Sequence, residues 1–193
     1  MRKINASLFI TLDGVVEAPG GEETIPEERR GWSMPYTSDE VVEVISAAMA
    51  SSDAMLLGRN TYESFAAFWP NVPDDDPFGQ FMNNQTKYVV STTLDKAEWK
   101  NSHLIKGDVA AELNKLKQQP GKDINIVGSG TLTRSLIEAN LVGELQLMLC
   151  PVVLGVGKRL FEDTHYMKSM TVLEVRSFES GMVYLRLQPE KTA

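Results

Sequence analysis

Residues 56–64 read LLGRNTYES: an apolar run that stops on Gly58-Arg59 and passes at once into residues that start a helix. That order is a strand-to-helix turn, and it sets the reading of the chain as α/β. Backbone N–H groups at a helix start lack carbonyl partners and carry partial positive charge, so a phosphate can dock there, and Arg59 adds a fixed cation. A second turn of this kind lies at residues 123–132, DINIVGSGTL, where Gly128 and Gly130 bracket Ser129 and let the backbone approach a ligand closely. A third is residues 87–92, KYVVST, an expected strand ending on two hydroxyls, Ser91 and Thr92. Each alone also reads as an ordinary turn. Together they sit at expected strand ends, where an open α/β sheet places its ligands.

Working outward, apolar patterning predicts strands at residues 3–11, 54–57, 87–91, 103–106, 124–127 and 144–153. Between them helices are expected at 38–50, 60–68, 78–84, 108–118 and 131–139. The first helix carries a capping-box pattern, Thr37 with Glu40, and an apolar stripe from Val41 to Met49. Asp74-Asp75-Asp76-Pro77 reads as a solvated turn that caps the helix after it. Two last strands, 171–177 and 182–188, join around Ser180-Gly181 as a hairpin. The polar loop that begins at Asp13-Gly14 and runs to about Tyr36 is long for a compact domain, which favours function or mobility over simple connection. No repeat or linker divides the 193 residues, so a single domain, 1–193, is expected.

Bulk composition narrows the function. With 42% apolar and 23% charged residues the chain has the makeup of a folded globular protein. A net charge of -7, with no basic and aromatic cluster to offset it, opposes nucleic acid and anionic membrane as partners. No segment approaches about 18 consecutive apolar residues and no cleavable leader is visible, so the expectation is no membrane and a cytoplasmic location. The single Cys150 lies in an apolar run and reads as a buried core residue, and His103 and His165 form no cluster at metal-ligand spacing, so no metal is expected.

In order and spacing the three turns, together with SLFITLDG at 7–14 and PVVLGVGKRLF at 151–161, resemble the dihydrofolate reductase superfamily. They are most similar to the reductase domain of riboflavin biosynthesis and its stand-alone bacterial relatives. The resemblance spans nearly the whole chain. It implies a three-layer αβα dihydrofolate-reductase-like fold: a mixed, mostly parallel sheet with helices on both faces and a C-terminal β-hairpin. It also implies an NADPH-dependent oxidoreductase. Arg59, Ser91 and Thr92 are then assigned to the 2′-phosphate end of the cofactor, Gly128, Ser129, Gly130, Thr131 and Leu132 to its pyrophosphate, and Gly58 and Thr61 to the same groove.

On the substrate side, relatives use the loop after the first strand and the segment from Pro151 to Gly157. This points to Asp13, Gly14, Trp32, Leu154 and Gly155 as substrate-binding residues, with Asp13 the candidate for proton supply or else a turn residue before Gly14. Trp32 either stacks on a planar ring or covers a loop, and Glu144 either reaches the site or is merely exposed. Similar domains often pair, so a homodimer is expected. Two departures from the family pattern matter. No carboxylate can be assigned to the pterin position of dihydrofolate reductase proper, and the zinc ligands of an attached deaminase are missing. The expected reaction is therefore hydride transfer to a small heteroaromatic or carbonyl substrate, akin to 5-amino-6-(5-phosphoribosylamino)uracil reduction, with folate reduction as an alternative. A dinucleotide-binding protein without turnover is the rival from another class.

Overall fold

The computed structural model describes residues 1–22, 24–162 and 164–190. Eight strands form one sheet: β1 (Ile4–Thr11), β2 (Ser52–Gly58), β3 (Thr86–Val90), β4 (Ser102–Ile105), β5 (Asp123–Val127), β6 (Glu144–Cys150), β7 (Met170–Ser177) and β8 (Val183–Pro189). Their order across the sheet is β4-β3-β2-β5-β1-β6-β8-β7. The first six run parallel, and β8 pairs antiparallel with both β6 and β7. The sheet is thus mixed and mostly parallel, with the expected hairpin at its C-terminal end.

Five helices connect the parallel strands: α1 (Asp39–Ala50), α2 (Arg59–Phe68), α3 (Pro77–Asn84), α4 (Val109–Gln118) and α5 (Gly130–Glu138). They cover both faces. Ile4, Ala6, Leu8 and Ile10 of β1 pack with Leu113 and Leu116 of α4 and Leu136 and Ile137 of α5. On the opposite face Met49 of α1, Tyr62 of α2 and Met82 of α3 pack over Met55, Leu57 and Val89. Right-handed crossovers account for this division, because the chain moves one way from β1 to β4 and then returns through β5 to β6. The return inserts β5 between β2 and β1. All six parallel strands therefore end on one rim, and helix starts gather there.

Local chemistry departs from expectation in a few places. The capping box at α1 does not form: the cap residue is Ser38 without a side-chain bond, and the Thr37 hydroxyl donates instead to the Ser33 carbonyl at 3.0 Å. The strand at β2 starts two residues earlier than expected, with a register irregularity between Ser52 and Ala54, and β6 ends at Cys150 before Pro151. Asp76 does cap α3, accepting from the Gly79 amide at 2.6 Å. Lys87 on β3 is fully buried. Its ammonium donates to the carbonyls of Asn83, Gln85 and Lys100 and lies 4.0 Å from the Trp99 ring centre.

Candidate functional site

The rim of the sheet is organised around Ser129. This residue sits in the left-handed region (φ 53°) at the start of α5. Its Oγ accepts from the Gly58 amide at 2.9 Å and donates to the Val127 carbonyl at 3.2 Å, while its own amide donates to Thr61 Oγ1 at 3.1 Å. The starts of α2 and α5 are thereby stapled side by side. Glycines make the approach possible. A Cβ on Gly128 (φ +59°) would sit 3.2 Å from Thr61 Cγ2, and one on Gly130 would sit 2.6 Å from Val16 Cγ2. A side chain at either position would push the two turns, or the loop after β1, apart.

At the start of α5 the amides of Gly130, Thr131 and Leu132 precede the first helical hydrogen bond, which runs from Thr133 to the Ser129 carbonyl. They form an outward-facing donor set at the positive end of a helix. Arg59 begins α2 next to them, about half exposed, with Glu63 one turn on at 3.9 Å. The third turn adjoins these two, because Gly58 and Val90 are register partners at the ends of β2 and β3. Ser91 is buried there, and its Oγ accepts from the amides of Thr93 and Leu94. The hydroxyls of Ser91 and Ser129 thus shape the turns, leaving the exposed Thr92 hydroxyl, the α5 amides and Arg59 as the groups that face outward.

A second cluster ties the loop after β1 to the loop after β6. Asp13 Oδ1 accepts from the Thr11 hydroxyl at 2.6 Å and the Leu154 amide at 3.0 Å, and Oδ2 accepts from the Gly155 amide at 2.9 Å. Arg159 Nε donates to the Asp13 carbonyl at 2.9 Å, with Nη2 3.5 Å from Oδ2. Burial works to raise the carboxyl's pKa, but the bonds from Thr11, Leu154 and Gly155 outweigh it and hold the group well below the usual carboxylate range. Asp13 is therefore ionised and fully engaged. Gly14 (φ +82°) makes the turn and Gly155 (φ +73°) presents its amide to Asp13. Val16, which abuts Gly130, joins this cluster to the first through its amide bond to the Lys158 carbonyl.

Trp32 takes the loop-covering one of its two readings, Glu144 lies away from the turns, and Cys150 is the buried core residue expected. Trp32 is 6% exposed, donates its indole N–H to the Glu17 carbonyl at 2.8 Å and packs with Ala18, Ile25 and Val41. It anchors the long loop, and no free ring face remains for stacking. Glu144 lies at the N-terminal end of β6, on the rim opposite the turns, where it pairs with Lys3 and Arg186. Cys150 is fully buried and its thiol is pushed up to about 12 by that burial, which leaves it inert. Among the described residues no group of three His, Cys, Asp or Glu side chains could hold a metal, and no helix is long and apolar enough to cross a membrane. A recess of about 480 Å³ lies between α2 and residues 96–99, with Tyr62, Lys96 and Trp99 on its walls. Glu63 and Glu98 line it as well, so its walls carry two carboxylates against the one ammonium of Lys96.

The RibD C-terminal domain matches residues 2–184, nearly the full length of the chain. This chain belongs to the RibD C-terminal domain family. YyaP of Bacillus subtilis strain 168, an uncharacterized protein, is 30% identical over 187 residues, covering 95% of this chain and 93% of YyaP. A solved structure from Shewanella sp. PV-4 superposes over 99% of this chain and 100% of its own with a TM-score of 0.77 at 18% identity. A Thermotoga maritima protein named as a diaminohydroxyphosphoribosylaminopyrimidine deaminase and 5-amino-6-(5-phosphoribosylamino)uracil reductase superposes at TM-score 0.66 and 12% identity. There the match covers 98% of this chain but 57% of the larger protein. The likeness in structure establishes the dihydrofolate-reductase-like α/β fold. Membership of the RibD C-terminal domain family implies a reductase of the riboflavin-pathway type.

Proposed function

We propose that the chain is an NADPH-dependent reductase that delivers a hydride to a small heteroaromatic or carbonyl-bearing molecule, akin to 5-amino-6-(5-phosphoribosylamino)uracil reduction. The observation that carries this reading is the Ser129 staple, which sets two helix starts and Arg59 on one rim of the sheet. Such a cradle suits a dinucleotide. Arg59 and the Thr92 hydroxyl would hold the 2′-phosphate, and the amides of Gly130, Thr131 and Leu132 the pyrophosphate, with Gly58, Thr61 and Gly128 keeping the backbone close. Bound NADPH supplies the hydride. In this reading Ser91 and Ser129 position the anchors rather than bind.

Asp13 serves as a positioning residue. It fixes Leu154 and Gly155 against Gly14, the segment that lines the substrate side, and its bonded, ionised state makes water the source of the proton. Self-association into a homodimer and a cytoplasmic location belong to the same reading. One observation favours a second one: Asp13, the acid at the head of the loop after β1, is consumed by structural bonds, as suits a dinucleotide sensor without turnover. Folate reduction is the weaker alternative. The test is a titration with NADPH and NADH followed by tryptophan quenching, then a screen of pyrimidines, pterins and small ketones for substrate-dependent loss of NADPH absorbance. Tight NADPH binding with substrate-dependent oxidation supports the reductase. Binding without any oxidation selects the sensor, and no binding at millimolar NADPH removes both.

A further inference from the structure

Cations at the corner where the loops after β1 and β6 meet are held by acids. Arg159 pairs with Asp13 at 3.5 Å, Lys158 with Glu17 at 3.7 Å and Arg134 with Glu162 at 3.6 Å. Arg29 stands apart. Carried by the long loop, it donates through Nη1 to the Leu154 carbonyl and has no carboxylate partner among the described residues. Glu27 and Glu28 precede it in the same short turn, are exposed, and do not pair with it. Its guanidinium borders open space: beyond the chain neighbours, a Cβ on Gly155 would meet only Arg29 Nη1, at 3.5 Å. The Gly155 amide is already bonded to Asp13 Oδ2, so the group that this corner offers to a ligand is the guanidinium and not the backbone.

We propose that Arg29 receives a carboxylate of the substrate beside Gly155, so that the preferred substrate is a small organic acid. A guanidinium with one donor committed keeps further N–H groups in a planar fork, the shape that the two oxygens of a carboxylate match. The Leu154 carbonyl holds that fork in place, which lowers the entropy cost of ordering a long, exposed side chain on binding. Charge balance selects a monoanion. One carboxylate neutralises the positive charge of Arg29, whereas a phosphate dianion would leave a negative charge beside Asp13 and Glu17 in a chain of net charge -7. Position selects the substrate and not the cofactor. Arg29 is bonded to the loop after β6, while the cofactor anchors at the start of α5 lie on the other side of Val16, which abuts Gly130. The inference rests on the reading of this corner as the substrate side of the reductase.

Ligand-observed NMR on the native chain, with and without NADPH, tests it with benzoate, pyruvate, benzamide and phenyl phosphate. At least one of the two acids should bind at millimolar concentration or below. Benzamide, the neutral counterpart of benzoate, should bind at least about tenfold more weakly, the discrimination expected for one charge-assisted contact. In a chain carrying isotope-labelled arginine, the Nε–H signal that Arg29→Lys removes should shift when the acid is added, a readout on the native fold. Arg29→Gln should weaken the acid roughly 10- to 100-fold, and Arg29→Lys, which keeps the charge, should recover part of that loss. Failure of both acids to bind, binding undiminished in Arg29→Gln, or phenyl phosphate held more tightly than benzoate overturns the carboxylate site. The reductase reading survives that result if NADPH still binds and is oxidised by a neutral substrate. Carboxylate binding through Arg29 in a chain that binds no NADPH removes the reductase reading and keeps the site.

Discussion

Replacing Asp13 by Asn separates a positioning carboxylate from a proton donor. The carboxylate accepts the Leu154 and Gly155 amides on different oxygens, at 3.0 and 2.9 Å, and its side chain is 18% exposed, the Leu154 bond being partly buried and the Gly155 bond open to solvent. Asn keeps a single acceptor oxygen and turns an NH2 toward the other amide. One bond to a charged group is lost and the exposed Gly155 amide is left to solvent, a cost of about 2 kcal/mol. For a chain of this length that lowers Tm by about 4–8 °C. The pH dependence has a definite sign. Because the folded pKa lies below the unfolded value, the stabilisation from Asp13 is full above the ordinary carboxylate range and fades as pH falls through it and below. The stability gap between native protein and variant, measured by urea unfolding, should therefore narrow below about pH 4. Turnover should fall as the Leu154–Gly155 segment shifts, with the shape of the pH–rate profile near neutrality unchanged. A variant of native stability that loses turnover together with one limb of that profile would show that Asp13 gives up a proton, and the positioning account would be wrong.

Further outcomes follow from the cradle and the core. Gly128→Ala must adopt φ +59° and place a methyl 3.2 Å from Thr61, so it should cost about 1–2 kcal/mol in unfolding and weaken NADPH in titration; unchanged affinity would detach Gly128 from the site. Burial, aided by the Lys100 charge, pushes the Lys87 ammonium down to about 8. The unfolded chain then holds this proton more tightly than the folded one, so Lys87 should make stability rise between about pH 8 and pH 10.5, by at most about 3 kcal/mol. Lys87→Met should lose that rise in parallel denaturation series, and identical pH slopes would mean that the three carbonyls and the Trp99 ring hold the proton as firmly as water does.

Much of this architecture is legible in the chain because its signals are local. The Gly58-Arg59 and Gly128-Ser129-Gly130 turns declare themselves through glycine chemistry and the change from strand to helix patterning, and Asp76 caps α3 through a bond within one turn. Strand order is not local. That β5 enters between β2 and β1, and so brings Ser129 to Gly58 across 71 positions, depends on crossover geometry that no short window contains. The roles of single polar residues fail for the same reason. Asp13 looks like a free acid until Leu154 and Gly155, 141 and 142 positions away, claim both oxygens. Trp32 looks available for stacking until Val41 and Ile25 close over it, and the burial of Lys87 is hidden in the sequence because its cage consists of backbone carbonyls, which no residue type reveals. The clue that could have flagged Asp13 was its neighbour Thr11, two residues before, whose hydroxyl bonds to it.

The central claim is that the rim at Arg59 and Ser129 grips a dinucleotide carrying a 2′-phosphate. Its most direct test is the pair of dissociation constants, NADPH and NADH, for the native chain and for Arg59→Ala. Arg59 is exposed and its contact with Glu63 at 3.9 Å is worth no more than about 0.5 kcal/mol, so the fold should be untouched. Loss of a charge-assisted grip on the phosphate, about 1.5–3 kcal/mol, predicts NADPH binding weakened about 10- to 100-fold with NADH changed less than about twofold. Equal losses for the two cofactors, or none for either, would contradict it.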